Sequence, residues 1–418
     1  MKRQPRHHGP GTPASSTTRH GRYVGPAVLA VVAIMLVGCQ SQSLPKLELF
    51  GPQPPPQSLF TTTTDGWSLN LLRFEPTRPA RNTDPVICCH GLGYNAGFWD
   101  LTERTSLPRY LQKRGFDVWC VSLRGSGQST KPTVAQLRRL FRLNLAALDP
   151  IAAAQRQSGL LKLDWTVDDH VKYDVPAVLK FVAERTGRSR AHWIGHSMGG
   201  MVMSAHLATA GGEQINSFVA AAVPVVMPHP LNEVYQTMLA NMKVIQIGNA
   251  VVSTSLPALI GTLVGPRLQS PVDRLFYNAE NVDYLVGHRL SYLAQEEISP
   301  GQFQQLMDMM AAEHFRSSDG QIDYAQRLSD VTTPTLFLVG ALDHMATVGA
   351  VKWSYRQIGA SDKEFVLFSK INGRLADYGH DDLIIGRHAR EEVYPQVLRW
   401  LKAHPAQEAA PASQPHAQ

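Results

Sequence analysis

Apolar residues follow two spacings along this chain, and the two spacings alternate. Short runs of β-branched, aromatic and small apolar residues indicate buried strands, whereas the longer stretches between them carry the spacing of amphipathic helices. The predicted core strands are residues 85–89, 117–123, 190–195, 216–223, 334–340 and 364–369. The predicted helices include residues 100–114, 168–186, 198–210 and 389–403. This alternation predicts an α/β fold with a mostly parallel central sheet and helices on both faces.

The same pattern indicates where the folded domain begins and ends. Residues 58–64 and 67–74 predict a hairpin-like pair of strands ahead of the first core strand. Residues 403–418 consist largely of Ala, Pro and Gln and predict a disordered tail. The domain is therefore expected to span residues 58–402.

Two connections between the predicted core strands are unusually long. Residues 126–165 and 225–330 exceed the length of simple crossovers, so each is expected to contain helices of its own. The second is the better candidate for a helical cap, inserted between the strands at 216–223 and 334–340.

The first 38 residues differ in composition from the rest of the chain. They carry five basic side chains and no acidic one, and their apolar run from Val24 to Val37 is broken only by Gly25 and Pro26. This run is too short to span a bilayer comfortably but suits the hydrophobic region of a signal peptide.

The apolar run ends in Leu36-Val37-Gly38-Cys39, which resembles the lipobox of bacterial lipoproteins. The resemblance implies cleavage before Cys39 and attachment of acyl chains such as palmitate, which together give stable anchoring. The proline-rich residues 39–57 would form a semi-rigid tether. Gln40 stands where an aspartate signals inner-membrane retention, so placement at the outer membrane or on the periplasmic side is favoured. The alternatives are an uncleaved anchor, an ordinary signal peptide and a misplaced start codon.

The net charge of the chain is close to zero once its first 38 residues are set aside. The whole chain has a formal charge of +6, but the residues after position 38 carry 35 basic and 34 acidic side chains. A nucleic-acid partner needs a basic face that survives this subtraction. The cluster Arg138, Arg139 and Arg142 is explained more simply as the solvated face of a helix. We therefore predict no nucleic-acid partner.

Three cysteines follow the leader region, and all lie in apolar strand-like runs. They are Cys88, Cys89 and Cys120. Adjacent residues of a strand face opposite sides, so Cys88 and Cys89 cannot both face Cys120. Buried free thiols are the expected state, with a disulfide as the alternative in an oxidising compartment. Their spacing does not predict a zinc site.

The pentad Gly195-His196-Ser197-Met198-Gly199 fits the pattern G-x-S-x-G. In this motif a strand turns sharply into a helix, and the serine on the turn exposes its hydroxyl. An apolar strand precedes this pentad and a helical pattern follows it, which is the required context. The alternative is a tight turn with an inert serine. We predict that Ser197 is a nucleophile.

Further motifs resemble the α/β-hydrolases in sequence and in order. His90-Gly91-Leu92-Gly93 and Arg124-Gly125-Ser126-Gly127-Gln128-Ser129 each follow a predicted strand, and the pentad at 195–199 comes after both. Residues 168–177 look like the corresponding segment of acid lipases and related esterases. The resemblance covers roughly residues 58–402, and it implies the α/β-hydrolase fold.

In this family the catalytic order is Ser, acid and His, which implies two further residues. Asp343, three residues past the strand at 334–340, matches the acid; its alternative role is a helix N-cap. His380 matches the base, and Asp382 follows it as in the H-x-D pattern of acid lipases. The other candidates for the acid are Asp362, Asp377, Asp381 and Asp382.

The resemblance also implies an oxyanion hole built from backbone N–H groups. One donor would be Met198, the residue after the nucleophile, and the other Leu92 in the His-Gly-Leu-Gly turn. His90 is expected to brace this turn. His196 and His344 are expected to be supporting residues.

These parts imply a serine hydrolase that cleaves carboxylic esters through an acyl-enzyme, without a metal or organic cofactor. The apolar stretch Val251–Val264 and the methionines 307, 309 and 310 could line an acyl pocket, or could be the core faces of cap helices. Together with a lipid anchor, they favour an apolar or lipid-like ester substrate. The alternatives are an acyltransferase with the same triad and a binding lipoprotein that has lost catalysis.

Overall fold

An eight-stranded sheet lies at the centre of the computed structural model, which describes residues 54–81, 83–131, 164–227 and 273–406. The strands are β1 Gln57–Thr62, β2 Ser68–Phe74, β3 Val86–Cys89, β4 Val118–Ser122, β5 Ala191–His196, β6 Ile215–Ala221, β7 Thr335–Gly340 and β8 Lys363–Phe368. Their spatial order is β1-β2-β4-β3-β5-β6-β7-β8. Strands β3 to β8 are parallel, and β2 runs antiparallel to both of its neighbours. The predicted α/β class and mostly parallel sheet are therefore confirmed, and so is the opening hairpin.

The middle strands are buried along their whole length. Every residue of β3, β4, β5, β6 and β7 is buried, whereas the outer strands β1 and β8 are partly exposed. A parallel strand without a solvent face needs helices on both sides of the sheet. This explains why these segments are continuous apolar runs instead of alternating patterns.

The helices lie mostly between strands in chain order, and the last three follow β8. They are α1 Leu107–Gln112, α2 Val175–Thr186, α3 Met198–Ala210, α4 Asp273–Phe276, α5 Tyr284–Arg289, α6 Pro300–Ala312, α7 Val348–Gln357, α8 Asp382–Ile385, α9 Ala389–Glu392 and α10 Tyr394–Ala403. A short helical turn, Val167–Asp169, and a π-helical turn, His170–Asp174, lead directly into α2. Among the described residues, no helix combines the length and the apolar character needed to cross a membrane.

The predicted helix over 100–114 is wrong at its start. The observed helix begins only at Leu107, because Ser106 is extended and its hydroxyl accepts a hydrogen bond from the Arg109 N–H. Pro108 in the first turn lacks an N–H, which suits a helix start and not a helix interior. The predicted helix over 389–403 is likewise divided into α9 and α10.

The segment between β6 and β7 contains α4, α5 and α6, together with the 3-10 turns Ala279–Asn281 and Gln326–Asp330. Met309 and Met310 on α6 are buried in the hydrophobic core, and Met307 is partly buried against it. The core-face interpretation of these methionines is therefore the better one. Several predictions fall wholly or largely outside the described residues. They are those on residues 1–53, the helices within 126–165, Arg138, Arg139, Arg142, Val251–Val264 and the tail at 403–418.

The three cysteines are free and buried, as predicted. Cys88 on β3 lies opposite Cys120 on β4 in the parallel register, and Cys89 lies opposite Val121.

A buried polar chain connects β4, the π-helical turn and α6. The Arg124 guanidinium donates to Asp174 at 2.7 Å, and the other Asp174 oxygen lies 2.7 Å from Nδ1 of His170. Nε2 of His170 lies 2.8 Å from the amide nitrogen of Gln302, which also contacts the Met198 sulfur at 3.6 Å. Asp174 therefore carries the negative charge between two buried partners.

We expect Asp174→Ala to destabilise the fold by about 3–5 kcal/mol, because it removes the fully buried carboxylate that Arg124 and His170 share. Arg124 would keep only its ion pair with the partly exposed Asp65. The measurement is the free energy of unfolding from urea denaturation. The control is Glu184→Ala, whose ion pair with Lys180 is 3.9 Å long and exposed on both sides; this variant should unfold like the wild type. An Asp174→Ala protein as stable as the control would contradict the prediction.

Candidate active site

Ser197 occupies the single residue between β5 and α3 in a strained conformation. Its φ is 50° and its ψ is −121°, which non-glycine residues rarely adopt. The backbone is held there because the Ser197 N–H donates to the Ala221 carbonyl at 2.9 Å, and its own carbonyl accepts from Gly200 and Met201. This is the sharp strand-to-helix turn that the G-x-S-x-G pattern predicts.

The glycines beside Ser197 are required by close backbone packing. A Cβ atom at Gly199 would lie 2.3 Å from the carbonyl oxygen of Cys89, and one at Gly195 would lie 2.5 Å from the backbone of Gly200. Both contacts are with backbone atoms, which cannot move aside as a flexible side chain can. The motif therefore reflects the approach of α3 to the ends of β3 and β5.

His380 and Asp343 lie in contact, although they belong to different loops. Nδ1 of His380 is 3.1 Å from one Asp343 carboxylate oxygen and 3.0 Å from the other. The loops meet because Gly340, at the end of β7, packs against the backbone of Tyr378, and the Leu342 N–H donates to the Tyr378 carbonyl at 2.8 Å. Both side chains are buried.

The Asp343 carboxylate is oriented by its own loop. One of its oxygens accepts hydrogen bonds from the N–H groups of Met345, at 2.9 Å, and Ala346, at 2.7 Å. The N-cap of α7 is Thr347 instead, so the N-cap alternative for Asp343 does not hold for that helix. An ionised carboxylate only accepts hydrogen bonds, so His380 carries its proton on Nδ1 and leaves Nε2 available.

The surroundings of His380 raise the pKa of its imidazole. Burial lowers the pKa of its imidazole, but the Asp343 carboxylate raises it by charge and by hydrogen bonding, and the net pKa lies above the ordinary value. The ring is therefore a stronger base than an exposed histidine.

The His-Gly-Leu-Gly turn lies directly against Ser197. A Cβ atom at Gly91 would lie 3.1 Å from Cβ of Ser197. The N–H groups of Leu92 and Met198 donate to none of the residues that the structure describes. Backbone N–H groups that lack a partner beside the serine can donate hydrogen bonds to an oxygen on which negative charge develops.

His90 braces this turn in its neutral form, as expected. Nε2 accepts a hydrogen bond from the Leu123 N–H at 3.2 Å, so Nδ1 carries the proton and donates to the Gly91 carbonyl at 2.8 Å. Burial lowers the pKa of His90 to about 4, which agrees with a neutral ring.

The other candidates from the sequence have different surroundings. Asp362 contacts His404, Asp377 accepts from the Lys370 N–H, and Asp382 accepts from the Gly379 N–H. His344 is exposed. Among the aspartates that the sequence left open, it is Asp343 whose carboxylate contacts the His380 ring.

Sequence reasoning named His196 and Asp381 but missed the contacts that connect them to Tyr94 and Phe98 near His380. The Tyr94 hydroxyl donates to Asp381 at 2.6 Å, and the His196 ring lies between Phe98 and His380, with centroid distances of 4.7 Å and 4.9 Å. The signal in the sequence was the middle position of the H-x-D pattern, which is a carboxylate here.

The same group contains three side chains of the types that bind metal ions. His196, His380 and Asp381 present ligand-type atoms within 4.8 Å of one another. However, Nδ1 of His380 is engaged by Asp343, and Nε2 of His196 lies 3.1 Å from the His380 carbonyl. His196 and Asp381 are therefore better described as neighbours of His380 than as its partners in a preformed metal centre.

Comparison with known proteins agrees with this geometry. Residues 84–386 match the model of the α/β-hydrolase fold family. The chain is 26% identical to triacylglycerol lipase 2 of Arabidopsis thaliana over 81% of this chain and 83% of that protein. It is 33% identical to a tear acid lipase-like protein of Mesocricetus auratus over 34% of this chain and 31% of that protein.

Solved structures show the same fold. A monoacylglycerol lipase from Paleococcus ferrophilus superposes with a TM-score of 0.51 at 18% identity, covering 80% of this chain and 99% of that one. A bacterial membrane phospholipase A superposes with a TM-score of 0.50 at 17% identity, covering 91% and 93%. The sheet order, the strained Ser197 turn and the family match lead to one conclusion: the chain belongs to the α/β-hydrolase fold family.

Proposed function

We propose that this protein is a serine hydrolase that cleaves carboxylic esters, with Ser197 as nucleophile, His380 as base and Asp343 as acid. The observation that carries the proposal is the contact between His380 and Asp343 in a fold that also holds Ser197 on a strained turn between β5 and α3. The relatives named above, which are lipases, support an ester as the bond that is cleaved.

The proposed reaction has two steps. Nε2 of His380 removes the proton from the Ser197 hydroxyl as its oxygen attacks the ester carbonyl carbon, and Asp343 stabilises the resulting imidazolium. The imidazolium then protonates the departing alkoxide, which leaves as an alcohol and gives an acyl-serine. Water, deprotonated by His380, attacks the acyl-serine, and collapse of the intermediate releases the carboxylic acid and regenerates Ser197.

The oxyanion of each intermediate would be bound by the N–H groups of Leu92 and Met198. Such a donor contributes about 2.7–4 kcal/mol to stabilisation of the transition state. The Met198 N–H is also at the first turn of α3, where the helix dipole favours a negative charge.

We further propose that the substrate is apolar or lipid-like and that the protein is attached to the bacterial cell envelope through acyl chains on Cys39. The lipase relatives support the first point, and the lipobox-like residues before Cys39 support the second. An anchored enzyme would meet its substrate at a membrane surface. Gln40, which stands where an aspartate would signal retention at the inner membrane, supports placement at the outer membrane or on the periplasmic side.

Ser197→Ala should abolish covalent labelling by a fluorophosphonate probe, because the probe phosphonylates an activated serine. The measurement is in-gel fluorescence of the purified full chain, with hydrolysis of p-nitrophenyl butyrate followed in parallel. Ser204→Ala, on the helix α3 that follows Ser197, is the control and should keep the label. Labelling that persists in Ser197→Ala would overturn the assignment.

Asp343→Asn should lower kcat about 10⁴-fold, because the amide no longer holds the His380 proton on Nδ1 or stabilises the imidazolium. In the wild type, activity should fall as the pH drops through the raised pKa of His380, because the base becomes protonated. The measurement is the pH profile of kcat/KM. Asp362→Asn is the control; a comparable loss in Asp382→Asn with an active Asp343→Asn would show that the acid is misplaced.

Cys39→Ala should leave an unprocessed precursor that does not incorporate labelled palmitate, because the acyl chains need the cysteine. Ser41→Ala, two residues further on, should be processed normally. The measurement is the electrophoretic mobility and label of the protein expressed in a bacterial host. Normal processing of Cys39→Ala would point to an ordinary signal peptide.

A further inference from the structure

A second carboxylate next to His380 is not used by the proposed triad. Asp381 follows His380 directly and is completely buried. The Tyr94 hydroxyl donates to one carboxylate oxygen at 2.6 Å, and the Asp381 N–H donates to the Phe276 carbonyl at 2.7 Å. The other oxygen, Oδ1, accepts no hydrogen bond from the residues that the structure describes. A buried acceptor without a partner calls for a functional explanation.

Among the described residues, no lysine or arginine forms an ion pair with Asp381. Oδ1 lies 3.7 Å from Nε2 of His196, but that nitrogen donates to the His380 carbonyl at 3.1 Å. Burial, together with the nearby His380, holds the pKa of His196 well below its usual range, so this ring is neutral. The titratable groups that face Asp381 and Tyr94 are His196, Tyr277, Asp343, His380 and Asp382.

Among the described residues, the remaining group able to take up positive charge beside Asp381 is therefore His380. The ligand-type atoms of Asp381 and His380 lie within 4.8 Å of each other in a site that both residues keep buried. Charges interact more strongly in such surroundings than in water, because little solvent screens them.

Asp382 differs from Asp381 in its contacts. It accepts from the N–H groups of Gly379 and Asn278 and from the Asn281 side chain, so it ties the His380 loop to the segment before β7. Burial raises the pKa of Asp382 to about 7 and that of Asp381 to about 6. Asp382 thus has donors on both of its oxygens, whereas Oδ1 of Asp381 has none among the described residues.

We infer that Asp381, held by the Tyr94 hydroxyl, is a positioning residue for the proposed reaction: its negative charge stabilises the imidazolium of His380. It acts through His380 and does not touch the ester. When His380 takes the Ser197 proton, the new positive charge lies close to the carboxylates of both Asp343 and Asp381. The inference rests on the proposed function, because it needs His380 as the base.

The decisive variant is Asp381→Asn, which removes the charge and keeps the size of the side chain. An opposite charge within about 4–6 Å shifts a pKa by about 1–3 units. We expect the acid limb of the kcat/KM profile to move to lower pH by roughly one unit, and the plateau kcat to fall about tenfold. A merely structural defect would lower the rate at every pH without moving the limb.

Tyr94→Phe tests the same interaction from the other partner. Loss of the hydroxyl disfavours the ionised form of Asp381, so the limb should move in the same direction by a smaller amount. Asp377→Asn, on the loop before His380, is the matched control, since its carboxylate contacts the Lys370 N–H; its limb should coincide with that of the wild type.

The measurement is hydrolysis of p-nitrophenyl butyrate by the purified full chain between pH 4 and pH 9, with circular dichroism to verify folding. An unmoved limb in folded Asp381→Asn, or an equal shift in Asp377→Asn, overturns the inference. If Asp381→Asn does not fold, Tyr94→Phe decides, and an unmoved limb there overturns it. A wild type that neither hydrolyses the ester nor reacts with a fluorophosphonate would instead contradict the proposed function.

Discussion

The close approach of α3 to the ends of β3 and β5 is the constraint on which the rest of the site depends. Backbone fills the space that side chains at Gly195 and Gly199 would need. The chain can therefore turn from strand to helix within one residue, and Ser197 is left in a conformation that it would not adopt alone. Its strain is offset by three backbone hydrogen bonds, which connect it to β6 and to the first turn of α3.

The same packing brings the oxyanion turn into place. Because α3 contacts the backbone of Cys89 and His90, the turn that follows β3 must pass beside Ser197. His90 then fixes the turn through two hydrogen bonds of a neutral ring. Free N–H groups and the serine hydroxyl consequently share one small region, which is the arrangement that acyl transfer requires.

Several carboxylates lie around the His380 ring. His380 is surrounded by carboxylates that differ in their hydrogen bonds: Asp343 accepts from two N–H groups and the imidazole, and Asp381 from one hydroxyl. The segment between β6 and β7 also reaches the site, since Gln302 on α6 connects His170 with the Met198 side chain. Residues far from Ser197 in the chain thus determine how its neighbours are oriented.

The sequence by itself determined the fold class, the position of every core strand to within two residues and the G-x-S-x-G turn. These features are local or periodic: buried parallel strands are continuous apolar runs, and the tight turn needs glycine at fixed spacing. The start of α1 was predicted too early, because the apolar pattern extends further back than the helix does. Ser106 and Pro108 mark where the observed helix begins.

The resemblance to the α/β-hydrolases already favoured Asp343 as the acid, but only the tertiary structure shows its contact with His380. Only the tertiary structure shows that Tyr94 meets Asp381 across 287 residues of sequence. Such contacts depend on how loops at the ends of different strands pack together. No spacing along the chain encodes that packing.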